Sequence, residues 1–344
     1  MGDPASDALP RRATLRDVAE LAGVSQSTTS RALSGEGYAA ADVRERVTAA
    51  AESLGYVPHA MARSLRKQDS RTLGVLVSDL RNPFYAELAA GIADAGRAAG
   101  YTMMLADDQG SAEAEMDAAR AFVATRVAGV ILTAVAPEVV EFLLRQHVVV
   151  VEADRQFAEG RADAVVVDNA GAARRMTEHL LELGHRRVAL FVDETTWTTG
   201  SARVEGFREA FERSGVDWDD ALVVRTGWDA DMARSAAVGV LAGRDRPTAV
   251  FAVNNLLAEG VWRAASDLGL RIPDDLSMVS FDDSRWMSMV SPGITAVAQD
   301  SVALGREAVA ALLERLADRS RPPRTRVLEA TMRARGSMAA HRPE

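Results

Sequence analysis

The chain has 344 residues, of which 48% are hydrophobic and none is cysteine, and its formal net charge is −9. That length predicts two or three domains with a substantial core, and the absence of cysteine excludes disulfides and thiolate metal sites and fits a reducing cytosol. No apolar run reaches the roughly 20 residues of a membrane helix. The opening Met-Gly-Asp-Pro-Ala-Ser-Asp lacks the basic segment and apolar run of a signal peptide, so the expectation is a soluble, cytoplasmic protein with no membrane partner.

The charge is unevenly spread. From Arg11 to Lys67 there are nine basic and six acidic residues, which leaves that segment at +3 and the remainder at −12. A basic head on an acidic body suits a head that meets phosphate and a body that does not.

Residues before Arg11 are expected to be disordered, being Asp, Pro, Ala and Ser with little to bury. Thr14 is a helix N-cap and Asp17 its partner three residues on, close to a capping box. Leu15, Val18, Leu21 and Ala22 fall on one face of the helix that follows. Gly23 supplies a left-handed turn, and Ser25 caps a second helix. This second helix puts Thr28, Thr29, Ala32 and Leu33 on one side and Gln26, Ser27, Ser30 and Arg31 on the other. Two short helices joined by a glycine turn, the second with a polar outer face, describe a helix-turn-helix sized for a DNA major groove. After a loop at 34–37, a third helix packs Val43, Val47, Ala50 and Leu54 on the first two and ends at Gly55.

His59 to Lys67 is short, basic and helix-prone, and too short to be stable alone. It reads either as a linker or as a hinge helix that folds only on DNA. In the second case Leu65 is an apolar wedge for the minor groove, with Arg63 and Arg66 near phosphates.

From Thr72 the texture becomes α/β. Strands are expected near 73–77, 101–105, 129–132, 148–151 and 165–167. A second series follows near 188–192, 222–224, 248–253 and 276–281. Strands alternating with helices imply parallel sheets, and two such series imply two doubly wound lobes around a cleft beyond the strands' carboxyl ends. An amphipathic helix over 302–316, a strand over 327–332, interlobe crossings near Asp168, Gln299 and Arg326, and a loose tail from Gly336 complete the expectation.

The local motifs make the chain resemble the LacI/GalR family of transcription regulators. They are Leu-Arg-Asp-Val-Ala-Glu-Leu-Ala-Gly-Val-Ser (15–25), Leu-Gly-Tyr-Val-Pro (54–58), Ala-Arg-Ser-Leu (62–65), Asn-Pro-Phe-Tyr (82–85), Leu-Gly-His-Arg-Arg-Val-Ala (183–189), Arg-Pro-Thr-Ala-Val (246–250) and Ser-Phe-Asp-Asp (280–283). The resemblance implies an all-α helix-turn-helix headpiece (12–57), a hinge (58–70) and an α/β two-lobed, periplasmic-binding-protein-like effector domain (71–335). Lobe 1 is expected at 71–168 and 299–325, and lobe 2 at 169–298 and 326–335.

It further implies a homodimer on a palindromic operator, acting as a repressor under control of a sugar-like effector. Gln26, Ser27 and Arg31 match base-reading positions, and Ser25 and Ser30 phosphate contacts, with Thr14 in the same DNA-contact set. Leu65 matches the hinge leucine, and Arg63 stays near phosphate. In the cleft, Arg203, Asp282, Asn254 and Trp228 match effector-holding positions. Asp154 stands at a strand end, and Phe84 and Tyr85 come from the first loop of the other lobe. The alternatives are a surface ion pair of Arg203 with Glu205 or Asp193, a helix cap for Asp282 with Asp283, and core packing for Phe84. Departures from the family are Thr29 for valine, which predicts a looser headpiece, Ala40 for a capping serine, His59 for asparagine, Asp193 for glycine and Asn255 for aspartate. No phosphate-cradling glycine loop, nucleophile elbow or metal-spaced histidine cluster is present, so neither an enzyme nor a cofactor is expected.

Overall fold

In a computed structural model the described residues are 11, 13–34, 38–56, 70–193 and 197–341. The hinge stretch with His59, Arg63, Leu65 and Arg66, and the segment before Arg11, lie outside them. The chain divides into two units, Met1–Ser70 and Arg71–Glu344, each described by itself.

The first unit holds α1 (Leu15–Ala22), α2 (Gln26–Ser34) and α3 (Ala41–Ser53). Thr14 and Asp17 close a reciprocal capping box: the Asp17 amide donates to Thr14 Oγ1 at 3.3 Å, and the Thr14 amide donates to Asp17 Oδ2 at 2.7 Å. Gly23 then takes a left-handed φ of 65° and ends α1. Val18, Ala22, Ala32, Val47, Ala50 and Ala51 form the small core. Leu21, expected on the packed face, is 57% exposed, and Ala19 is buried in its place. The three helices meet so closely that the buried stripe is built mostly from alanines, and the larger leucine is displaced to its rim. Thr29 is fully buried, but its hydroxyl donates to the Ser25 carbonyl at 3.0 Å, so the valine-to-threonine departure leaves a satisfied polar group rather than a looser core.

The second unit opens with β1 (Thr72–Val77), α4 (Pro83–Ala98), β2 (Thr102–Asp107), α5 (Ala112–Thr125), β3 (Gly129–Leu132), α6 (Pro137–Arg145), β4 (Val150–Ala153) and β5 (Asp163–Val167). The second series is α7 (Asn169–Glu182), β6 (Val188–Val192), α8 (Thr198–Ser214), β7 (Val223–Arg225), α9 (Ala230–Leu241), β8 (Ala249–Ala252), α10 (Asn255–Asp267) and β9 (Ser277–Phe281). It closes with β10 (Thr295–Ala298), α11 (Ser301–Ala317), β11 (Thr325–Leu328) and β12 (Thr331–Arg333). One six-stranded sheet has the order β11-β5-β4-β3-β1-β2, and all its pairs are parallel. The other runs β12-β10-β9-β8-β6-β7, parallel except for the β10–β12 edge.

The central strands β3, β4, β6, β8 and β9 are buried along their whole length and read as near-continuous apolar runs, as strands of a sheet covered on both faces do. On lobe 1, α11 crosses α4 at two glycines. A Cβ on Gly91 would collide with the Val302 carbonyl, and one on Gly305 with the Leu88 carbonyl.

The carboxyl end departs from expectation. The single strand over 327–332 is two strands in different sheets, so Arg326 to Leu328 belong to lobe 1 and not to lobe 2. The chain recrosses between Leu328 and Thr331. β10, which had no predicted counterpart, precedes the middle crossing. The tail is not loose. Ser337 is fully buried, its carbonyl accepts from the Met278 amide at 2.8 Å, and the His341 amide donates to the Leu183 carbonyl at 2.8 Å. Backbone pairing secures it without the apolar periodicity that would announce an element.

Candidate functional site: an interlobe cleft

The carboxyl ends of both sheets face one cleft, as the winding of open α/β sheets requires. Its lining includes Ser78, Asp79 and Asn82 from the loop after β1, Phe84 and Tyr85 from the first turn of α4, and Asp154 and Arg155 after β4. From lobe 2 come Asp193 after β6, Trp197, Thr199 and Arg203 around the start of α8, Trp228 after β7, Asn254 after β8, Asp282 after β9 and Gln299 after β10. The cavity encloses about 500 Å³ including its mouth. All seven cleft residues singled out from the sequence line it.

Arg203 is buried, not part of a surface pair. Its Nε donates to Asn169 Oδ1 at 2.9 Å and its Nη1 to the Val253 carbonyl at 2.6 Å, while the guanidinium lies 3.7 Å over the Phe281 ring. A guanidinium held on two edges and one face presents its remaining edge in a fixed direction. Asp282 sits at a left-handed φ of 65° and accepts a short hydrogen bond from Gln299 Nε2. Burial raises its carboxyl above the ordinary range, while Arg203 and Gln299 oppose the rise. Its neighbour Asp283 turns away and pairs with Arg335 at 2.8 Å, so the two adjacent aspartates have separate tasks.

Asp154 also has a positive φ, 67°. Burial pushes its carboxyl up to about 6, against the pull of Arg155 and Arg203. Asn254 caps α10 through Oδ1, which accepts from the Leu257 amide at 2.9 Å, and its Nδ2 donates to Asp193 Oδ2 at 2.7 Å. Phe84 meets Tyr85 edge to face with ring centroids 5.1 Å apart, so its ring belongs to both the cavity wall and the core beneath. Trp228 lies half-buried, and a Cβ on Gly110 of lobe 1 would stand 3.7 Å from its ring.

Arg155, Trp197 and Gln299 were not picked out from the sequence as cleft residues, and Asp193 only as a departure near it. Arg155 is almost fully buried. Its Nη1 donates to Ser78 Oγ at 3.0 Å and to the Ala134 carbonyl at 3.2 Å, and its Nη2 donates to Tyr85 Oη at 2.7 Å. The one signal for it was its place beside Asp154 at a strand end. Hydrogen bonds also cross the cleft, from Asn255 Nδ2 to Asn82 Oδ1 at 3.1 Å and from the Gln156 amide to Thr198 Oγ1 at 3.3 Å.

In the headpiece, Ser25 Oγ accepts from the Thr28 amide at 3.2 Å and caps α2. Ser25, Gln26, Ser27 and Arg31 are exposed along one side of that helix, Ser30 is half-buried, and Thr14 is exposed at the start of α1. This surface combines donors and acceptors that can reach base edges and phosphates.

Residues 14–59 match the family described as bacterial regulatory proteins, lacI family, and residues 177–338 match the periplasmic binding protein-like domain. The ribose operon repressor of Haemophilus influenzae is 30% identical over 329 residues, spanning 95% of this chain and 98% of that protein. The chain belongs to the LacI family. LacI-family members are DNA-binding transcriptional regulators rather than enzymes, and the two-lobed domain of this one follows the periplasmic-binding-protein plan.

Two solved structures extend the likeness. The transcriptional regulator CelR in complex with cellobiose is 30% identical with a TM-score of 0.72, covering 95% of this chain and 100% of that one. The Lac repressor dimer bound to operator and the anti-inducer ONPF is 25% identical with a TM-score of 0.84, covering 96% and 100%. Among the described residues, no helix is long and apolar enough to cross a membrane, and no His, Asp and Glu group is placed to hold a metal.

Proposed function

We propose that this LacI-family chain represses transcription in the cytoplasm as a homodimer on a palindromic operator, with a sugar-like effector bound in the interlobe cleft. The observation that carries the reading is the convergence of Arg203, Asp282, Asn254 and Asp154 with Phe84, Tyr85 and Trp228 on one cavity. Forked polar groups beside flat rings match a molecule with hydroxyl edges and an apolar face.

Gln26, Ser27 and Arg31 read base edges, Thr14, Ser25 and Ser30 set register on phosphates, and the hinge residues Arg63 and Leu65 engage the backbone and wedge the central step. The effector shifts the balance between lobe arrangements because it binds them with unequal affinity.

The test is to select DNA from a genomic pool with the purified protein, with and without sugar mixtures. An inverted repeat whose retention changes with a sugar supports the reading. Enriched DNA lacking two-fold symmetry, or retention indifferent to every sugar, overturns it.

A further inference from the structure

Carboxylates outnumber guanidiniums in this cleft. Asp154, Asp193 and Asp282 face Arg155 and Arg203, whereas Asp79 is already held by Arg81 at 2.8 Å. Three carboxylates against two guanidiniums leave one charge in excess; Asp154 pairs with Arg155 at 3.9 Å and Asp282 accepts from Gln299, whereas among the described residues no ion pair reaches Asp193.

Among the described residues neither arginine hydrogen-bonds Asp193. Arg155 is committed to Ser78, Ala134 and Tyr85, and Arg203 to Asn169 and Val253. Asp193 Oδ2 accepts from Asn254, but Oδ1 is buried with no hydrogen-bond partner among the described residues. The same holds for Asp154 Oδ1 and Gln299 Oε1. Against these three lone acceptors the cleft lining has one lone buried donor, Arg155 Nε. Burial holds the Asp193 carboxyl above its ordinary range, which marks a charge whose neighbours do not fully compensate it.

A ligand therefore has to bring donors and, at Asp193, positive charge. A phosphorylated or carboxylated sugar brings acceptors and negative charge and fails on both counts. A neutral sugar can donate hydroxyls but leaves the extra carboxylate buried and uncompensated. A protonated amine among hydroxyls meets both requirements.

We propose that the effector is a polyol bearing a protonated amine, of the amino-sugar class, with its ammonium against Asp193 Oδ1, and that Asp193 sets this specificity. The proposal rests on the sugar reading of the cleft and narrows it.

The experiment is calorimetric titration of the full-length protein with glucosamine, galactosamine and mannosamine, with the parent hexoses, and with their 6-phosphates. A charge-assisted hydrogen bond predicts that at least one amino sugar binds roughly tenfold or more tightly than its parent. The sugar phosphates bind weakest. Asp193→Asn, which keeps the shape and the bond to Asn254, reduces the amine preference to about twofold or less. Thermal melting confirms the variant's fold, and Asp193→Ser replaces it if the asparagine form does not fold. A parent hexose that binds as well as its amine, or an unchanged preference in the variant, overturns this proposal and leaves the sugar reading standing. Binding by neither series overturns both.

Discussion

The guanidinium of Arg155 lies 3.8 Å over the ring of Trp197, so a charge from lobe 1 rests on an aromatic face from lobe 2. Both side chains are buried, and a desolvated cation–π contact contributes about 0.5–2 kcal/mol. This contact, with the Asn82–Asn255 bond, holds the lobes together from inside the cleft.

Trp197→Ala should therefore favour the open arrangement and weaken sugar binding by roughly two- to thirtyfold. Small-angle scattering of the full chain should report a larger radius of gyration without sugar. An unchanged radius together with unchanged affinity would remove Trp197 from closure.

Arg203→Ala should abolish the effector response and leave operator binding intact in gel-shift assays. It also strips partners from Asn169 and the Val253 carbonyl, at a stability cost of about 1–3 kcal/mol. Arg203→Lys keeps the charge but loses the fork, and should also fail to respond. A lysine variant that responds normally would show that charge alone suffices.

Protonation gives a separate signature. Burial pushes Asp108 up to about 7 and Glu115 up to about 8, so the folded chain holds protons that the unfolded chain has released. Their contribution is complete below the unfolded carboxyl range and is lost as pH rises through those raised values. His185 acts oppositely. Burial lowers it to about 4, so its contribution is complete above the unfolded histidine value and is lost only as pH falls. Above about pH 6.5 the carboxyls act alone. Melting temperature should therefore fall between about pH 6.5 and 8.5, and Glu115→Gln should flatten that slope. A slope that survives in the glutamine variant would sink the assignment.

The headpiece offers a gain. Ala40 is the N-cap of α3 and makes no side-chain bond to the helix. Ala40→Ser should raise headpiece stability by ~0.5–2 kcal/mol. Thr29→Val should stay within about 1 kcal/mol of the parent, because the lost hydroxyl bond is offset by burying a methyl group. Calorimetric unfolding of the full chain checks both.

Strand ends were legible in this sequence because short apolar runs stop at polar residues, and Asp154, Asn254 and Asp282 each stand just beyond such a run. Arg203 stood within a recognisable motif. Trp197 and Gln299 carried no such mark. Each lies on a connection whose place in the cleft depends on how the two lobes meet, and no local period encodes that. Leu21 failed for a related reason, since helical spacing gives the face but not how close the neighbouring helix stands. The 327–332 run looked like one strand because hydropathy cannot tell a change of sheet from a continuation.

The two-residue link between β11 and β12 has a mechanical consequence. Leu328 is locked to Val167 in one sheet and Thr331 to Ala298 in the other, so only Glu329 and Ala330 lie between the two anchors. Any rotation of one lobe against the other is absorbed there by very few dihedral angles. The link acts as a short tether that sets the travel of the jaw, and a longer one would let the same ligand energy dissipate as slack instead of arriving as a defined displacement.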